Sequence, residues 1–512
     1  MTWFVSLAFG STSGEGFREG SATVKNRIII EGCRRRMRSR FRSEKGIDSM
    51  HVMGESRMRL ILKLLIIGLG LIEGVSAMAG QWAILADRIV DGVSDYPLEN
   101  HAVLVEGRQI KGLIPVREIP PGFETISLPG TTLMPGLINA HEHPLMFDDR
   151  YQDAHLSGSS AYKALLGLAT LQRLLAYGWT SIRVMGDADV FYGNQDLQRV
   201  ISEGVFLGPR ITGAAHYISI TGGGGDINYG SPEQTLIADG LIADGPEEIR
   251  KAIRQEIKFG SDWIKLLVTG AFLSVGDDPK NVALSPEELA AAVAEAGRHN
   301  VPVAAHAHAT EGINQAVRAG VRSIEHGSYL TDESIALMVE HGTFYVPTIY
   351  IGDYYANTNK LEENNKNDTF YRDYRQSWLE MIGRAHAAGV KIAVGVDLGG
   401  YNIPPHVYVR EFATLIEAGL SPMASLKAGT SVAADLLGWG DRVGRIQPGH
   451  LADLIAIPGN PLDDISALEK PEFVMKDGLV VKGGLSLDSI ANQFEGSGRF
   501  FLPEAIGLNR VE

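Results

Sequence analysis

The sequence predicts an α/β protein built on a (β/α)8 TIM barrel, with a small composite β-sandwich domain formed by both ends of the mature chain. Three observations lead to that architecture. Eight apolar, strand-like runs lie between Thr132 and Gly399: TLMPGLINAH, TSIRVMG, PRITGAA, WIKLLVTG, VPVAAHAH, VRSIEHG, TFYVPTIY and KIAVGVDLG. Amphipathic helical stretches separate them, the pattern of parallel βαβ units. Short runs broken by turn residues stand on either side of this long middle, in the style of small antiparallel strands.

The clearest βαβ unit can be read residue by residue. Ser285, Pro286 and Glu288 make a capping box with proline at the first helical position, opening the helix PEELAAAVAEAGRH. A strand at Val301–His308 follows, then the helix EGINQAVRAG, which Gly320 can end in a left-handed conformation before the next strand. Eight such runs with polar residues at their ends favour closure into a barrel over an open doubly wound sheet. The tandem LIADG at 236–245 is a local duplication, too short for a solenoid repeat.

The flanking segments assign the domains. Residues 80–132 carry AILADRIVDG and AVLVEGRQIKGL with turns at Asp91-Gly92 and Glu106-Gly107, and 448–490 carry GHLADLIAIPG and a hairpin turn at Lys476-Asp477-Gly478. These are the two parts of the expected sandwich, with the barrel at 133–447 and a tail at 491–512. From Met58, a basic start, the apolar stretch Leu64–Ile72 and the small-residue site Ala77-Met78-Ala79 read as a signal peptide over 58–79, and so as a secreted or periplasmic protein. The stretch is short of the roughly 20 apolar residues of a membrane span, and Glu73 interrupts it, so no stable span is expected after its removal. Residues 1–57 lack apolar periodicity and contain RRRMRSRFR, and are read as a disordered extension upstream of the true start.

Charge and cysteine content narrow the function. The chain of 512 residues has 47 Lys and Arg against 61 Asp and Glu, a net charge of −14, which argues against nucleic acid as a partner. A small amide or dipeptide is the expected partner, and a homo-oligomer is compatible with the sequence. The one cysteine, Cys33, lies in the basic front piece, so a metal in the main body would have to use His, carboxylate or modified Lys.

Such residues stand at the ends of five of the eight runs: His141 and His143, Lys265, His306, His326 and Asp397. In a parallel barrel the C-terminal strand ends meet at one face, where catalytic groups of this architecture sit. His141 and His143 alternate, so in a regular strand both imidazoles project to one side and could grip one ion; zinc suits imidazole and an open coordination position. An isolated HxH is more often an ordinary pair of histidines, and the four strand-end partners reverse that reading. Lys265 by itself would be a core-edge lysine pairing with Asp397. A desolvated lysine can instead lose its proton and react with carbon dioxide, giving a carbamate whose two oxygens could bridge two metals.

The stretches MPGLINAHEH, DWIKLLVTG, VAAHAHAT, SIEHGSY and GVDLGG, with the closing GRIQPGHLADLIAIPGNPLDDI, resemble the amidohydrolase superfamily over nearly all of 81–484. IADGPEEIRKAI and GDDPKNVALSPEEL further resemble the branch holding imidazolonepropionase-like Xaa-Pro and Xaa-basic dipeptidases and ochratoxinase. The resemblance implies a binuclear zinc amidohydrolase acting on dipeptides or N-acyl amino acids, ochratoxin-type amides included. His141, His143 and Asp397 would bind one zinc, His306 and His326 the other, with carboxylated Lys265 between them. A metal-bridging hydroxide would attack the amide carbonyl, and Asp397 would carry the proton to the leaving nitrogen.

Some assignments stay open at this level. In HAHATE, either His306 or His308 could be the ligand; the motif match favours His306, leaving His308 to contact the substrate or the oxyanion. If His308 were the ligand, Glu311 would act as the acid of a mononuclear deaminase or cyclic-amide hydrolase. A metal-dependent binding protein without catalysis is the third reading. Tyr229 and Arg183 could hold a substrate carboxylate, or simply pack. His155, His216 and His406 are read as surface or lining residues, and the aromatic run at Phe344–Tyr355 as packing that could wall the pocket. Where relatives tend to have TGGHGD and an Arg-Asp pair, this chain has TGGGGD with Gly224, and Arg183-Val184.

Overall fold

The computed structural model describes residues 80–147, 150–357 and 366–485. The predicted extension, signal peptide and C-terminal tail, with Cys33, lie outside the described residues. One compact unit, Ser76–Glu512, contains all of those that are described. No helix among them is long and apolar enough to cross a membrane.

The strands in chain order are β1 (Gln81–Ile89), β2 (His101–Glu106), β3 (Gln109–Pro115), β4 (Glu124–Pro135), β5 (Leu137–Glu142), β6 (Trp179–Met185), β7 (Arg210–Ala214) and β8 (Tyr217–Ser219). They continue with β9 (Leu241–Ile242), β10 (Ile264–Leu267), β11 (Val303–Ala307), β12 (Ser323–His326), β13 (Phe344–Val346), β14 (Leu454–Pro458), β15 (Phe473–Lys476) and β16 (Leu479–Lys482). One seven-stranded sheet runs β16-β15-β14-β4-β1-β2-β3, so strands from both ends of the described chain share it. These strands pair into one mixed sheet, parallel between β1 and β4 and antiparallel elsewhere. Its apolar face buries Ile84, Val103, Ile126, Leu454 and Phe473 in a core of its own. The hairpin between β15 and β16 turns on Asp477 and Gly478, both at positive φ (+51° and +75°), as a two-residue turn matching strand twist requires.

The middle of the chain forms two parallel sheets, β5-β6-β7 and β13-β12-β11-β10-β8-β9. Helices follow the predicted signals. Helix Pro286–Gly297 opens on the reciprocal Ser285 and Glu288 capping box, and helix Thr310–Ala319 ends at Gly320 with φ +95°. Two predicted runs are irregular. The third forms β7 and is followed, after a break at Ala215 and His216, by the unpredicted β8, and the eighth is not a regular strand. The eighth run nevertheless bridges its neighbours: Ala393 N donates to Tyr345 O (2.9 Å), and Ala140 N donates to Val394 O (2.9 Å). Asp262 N and Trp263 N likewise donate to Gly213 O in β7 (2.9 and 3.1 Å), ahead of β10.

Side-chain alternation sorts the parallel strands into two faces. Ile264, Leu266, Ala305, Ala307 and Ile324 pack outward into the large core beneath the helices. Their neighbours Lys265, His306 and Glu325 therefore turn the other way, toward the interior that Ile138, Ala304, Val346 and Ala393 floor. Gly395, in the eighth run, lies against β5: a Cβ there would press on a Val346 methyl and come within 2.7 Å of His141 Cβ.

Gly395→Ala should therefore lower stability by about 1 to 3 kcal/mol through overpacking. Urea unfolding checks this, and an unchanged midpoint would show that the eighth run does not bear on β5.

Candidate metal centre

The site is assembled from strand ends. β5 shifts register between Asn139 and Glu142 and ends there, so His141 is its penultimate residue and His143 lies one residue beyond it. The two imidazoles are thus not equivalent positions of a regular strand, yet their rings lie 5.1 Å apart. His141 Nε2 and His143 Nε2 stand 3.3 and 3.0 Å from the same atom, Asp397 Oδ1. Asp397 reaches it from the end of the eighth run, where its backbone takes φ +58°. His326 and Thr348 also sit at positive φ, +70° and +50°. Non-glycine residues in this region are strained by about 1 to 3 kcal/mol each and cluster where function holds them.

The other ring nitrogens are already committed. His141 Nδ1 donates to Glu325 Oε2 (2.8 Å) and His143 Nδ1 donates to the carbonyl of Gly186. Those bonds fix both tautomers with the proton on Nδ1 and leave two Nε2 lone pairs and a carboxylate oxygen facing one another. Although burial opposes it, the Asp397 carboxylate raises the His143 pKa, and either a proton or a metal cation between these atoms relieves their repulsion. The donor set, two imidazoles and one carboxylate with atoms within 4.8 Å, fits a catalytic zinc with an open position. It is the one such grouping of His, Cys, Asp and Glu among the described residues.

The remaining predicted residues surround it. His306 donates Nε2–H to Gly270 O (3.2 Å), leaving Nδ1 free, and its ring lies 4.5 Å from that of His326. His326 Nδ1 shares a hydrogen bond with Thr348 Oγ1 (2.7 Å). His308 bonds Ser328 through Nδ1 (2.8 Å) and stacks on His326 at 5.0 Å. Burial, with the Lys265 charge second, pulls His306 down to about 3 and keeps it neutral. Burial likewise pulls Lys265 down to about 8, against the opposing charges of Glu325 and Asp397. All six predicted ligands and His308 line one cavity that opens to solvent.

Three other assignments are corrected. Arg183 does not reach the cavity as a carboxylate receptor: it points inward from β6, below the histidines, where its guanidinium is buried. There Nη2 donates to both oxygens of Glu325 (2.8 and 2.9 Å), Nε donates to Ala140 O, and the group lies 4.6 Å over Trp263. Tyr229 is 41% exposed and donates to Asp153 (2.9 Å), outside the cavity lining. Glu311 lies exposed in the first turn of its helix, accepting from Gln315 (2.7 Å), so nothing places it as an acid at the site. His216 and His155 are buried structural residues, the former between Glu256 and the Asp189 carbonyl. Of the aromatic run, Ile351, Gly352 and Tyr355 line the cavity while Phe344 and Tyr345 are core.

The sequence reading missed Glu325, Tyr151, Tyr217, Phe272 and Trp378. Glu325 carried a signal: it is the inward residue of SIEH, beside an outward Ile324. The tyrosines carried none, since Tyr217 lies on a strand beyond the predicted third run and Tyr151 opens a helix.

Comparison with known proteins agrees with this geometry. A family model described as Amidohydrolase family matches residues 132–482. Ochratoxinase of Aspergillus niger is 33% identical over 416 residues, 76% of this chain and 84% of that protein. A solved Xaa-Pro dipeptidase with methionine bound in its active site superposes with TM-score 0.73 at 32% identity, over 79% of this chain and all of its own. A prolidase complexed with N-methylphosphonate-L-proline gives 0.72 at 30% identity, over 79% of this chain.

Arg183→Met should cost about 3 to 5 kcal/mol, because it leaves Glu325 buried without its counter-charge. Arg183→Met with Glu325→Leu should lose less than the single change. Urea unfolding of both variants decides it, and a single-variant loss below about 1 kcal/mol would mean that the pair does not hold the interior.

Proposed function

The chain belongs to the amidohydrolase family, and from that premise we propose that it is a binuclear zinc hydrolase of dipeptides or N-acyl amino acids, ochratoxin-type amides included. That it is a metal-dependent hydrolase of amide bonds follows from the family itself. The observation carrying the finer reading is the convergence of two Nε2 lone pairs and Asp397 Oδ1 on one point, with both Nδ1 protons committed elsewhere. The relatives named ochratoxinase and Xaa-Pro dipeptidase support the substrate class.

In this reading His141, His143 and Asp397 would hold one zinc and His306 and His326 the other. The neutral Lys265 amine would add to carbon dioxide, forming a C–N bond and releasing a proton, and its carbamate would offer further oxygen ligands. When bound, the metals would supply Lewis-acid polarisation of the amide carbonyl and a water acidic enough to act as nucleophile near neutral pH. Asp397 accepts the proton of the attacking water and passes it to the leaving nitrogen. His308, on the cavity wall, orients the carbonyl. Glu325 and Arg183 keep His141 in its tautomer from below. The two parallel sheets are read as one (β/α)8 barrel closed through the eighth run and Gly213, and the small sheet as its accessory domain. The segment 58–79 is read as the signal that sends the protein to the periplasm or the exterior.

Metal analysis of the purified protein should give about two zinc ions per chain, and Lys265→Ala should hold fewer. Asp397→Asn should lower kcat by about 10² to 10⁴ fold on the best substrate found by screening dipeptides and N-acyl amino acids. No turnover of any amide by the zinc-loaded protein would overturn the reading. Below its depressed pKa of about 8, the Lys265 ammonium has no lone pair to offer carbon dioxide. Reconstitution of the metal-free protein should therefore need bicarbonate and proceed faster at pH 8 than at pH 6. Metal uptake indifferent to bicarbonate would remove the carbamate.

A further inference from the structure

Beyond the candidate ligands, the cavity wall carries a second polar group of side chains. Tyr217 of β8 lies one strand over from Lys265, with which it is in register. Its ring is only 5% exposed and is held in a slot of glycines: a Cβ at Gly186, Gly225 or Gly240 would lie 2.8, 3.1 or 2.7 Å from it. Gly225 of TGGGGD thus serves to admit this ring. The phenol lines the cavity beside Tyr151 and the Asp239 carboxylate, to which its hydroxyl donates. Gln152 Nε2 also donates to Asp239 Oδ2 (3.3 Å), while Gln152 Oε1, close behind, is buried without a partner among the described residues. A buried acceptor left without a donor costs free energy, so the group calls for a donor from a ligand or ordered water.

The polarity of the group is fixed by its proton count. Ser274 donates to the Gly224 carbonyl (2.8 Å), so Tyr151 must donate to Ser274 Oγ (2.8 Å), which uses its one proton. The Tyr217 proton has the Asp239 carboxylate beside it. Both phenol oxygens are then left as acceptors, with a carboxylate behind them. Among the described residues lining the cavity, Lys265 is the one Lys or Arg. Apolar and aromatic side chains, Leu267, Phe272, Leu273 and Trp378, make up much of the remaining wall.

We infer that Tyr217 and Tyr151, backed by Asp239, form a subsite for a protonated amine of the substrate: an ammonium next to an apolar or aromatic side chain, not a free carboxylate. This rests on the cavity being the substrate site of the proposed amide hydrolase, and it selects free-amino dipeptides over N-acyl amino acids within that class. A rigid phenol needs no ordering on binding, which favours recognition by preorganisation.

The test uses two probes that lack a scissile amide, phenethylamine and 3-phenylpropanoate, titrated calorimetrically into the zinc-loaded full chain. Phenethylamine should bind at least about tenfold tighter, and Tyr217→Phe should weaken it by about tenfold while leaving 3-phenylpropanoate unchanged. Asp239→Asn should act in the same direction, which covers the case in which the phenylalanine variant folds poorly. Tighter binding of 3-phenylpropanoate, no binding of either probe, or equal effects of Tyr217→Phe on both would overturn the subsite. Because neither probe is hydrolysed, this outcome is independent of whether an amide substrate is found, so the two readings fail separately.

Discussion

One buried carboxylate organises the interior beneath the site. Glu325 accepts two hydrogen bonds from Arg183 and one from His141, and all three groups are almost wholly out of water. A lone charge at that depth is costly, and a pair is tolerated because each satisfies the other. The arrangement links β6, β12 and β5 by side chains where the parallel sheets share no strand pairing. It also does something for the rim that hydrophobic packing could not. By taking the Nδ1 proton of His141, Glu325 leaves the opposite nitrogen as a bare electron pair aimed at Asp397.

The rim itself is held by strain and by committed hydrogen bonds. His326, Thr348 and Asp397 leave their strands through left-handed backbone, a conformation that turns a strand-end side chain back over the interior. Thr348 then pins His326, and the Gly186 carbonyl pins His143. Each of the four candidate histidine ligands is thus oriented by a partner outside the cluster, so little rearrangement of them is needed when a cation enters. Depressed basicity of His141, His306, His308 and His326, caused first by burial, keeps those four imidazoles in the neutral form that metals bind, whereas Asp397 raises the pKa of His143 against its burial.

The cavity lining is mixed, with histidines, Lys265 and Asp397 alongside phenols, a hydroxyl and apolar surface. Gly224 also lines it, and even a Cβ there would come within 3.0 Å of Asp277 Oδ2. A histidine at 224, as the resemblance led one to expect, would have to displace Asp277 or Leu267.

The sequence by itself determined the strand-end residues and the helices, because both follow from local rules. Ser285 and Glu288 cap, Gly320 terminates, and period-two alternation sends Lys265 and His306 to the same face whatever the chain does elsewhere. Motif matches then named the chemistry. Only the tertiary structure decided what lies around those residues. Arg183, plausible as a substrate contact from its place near a strand end, is drawn below the rim by Glu325, which is 142 positions distant in sequence. Tyr229 and Glu311 sit near site motifs, yet the loop and the helix that carry them turn both side chains outward. The irregular exit of β5 and the irregular eighth run also escape a pattern reading, since hydrogen bonds join these two segments across more than 250 residues of chain. Local sequence fixes backbone periodicity, but the direction of a side chain at an irregular strand end depends on which partner the fold brings within reach.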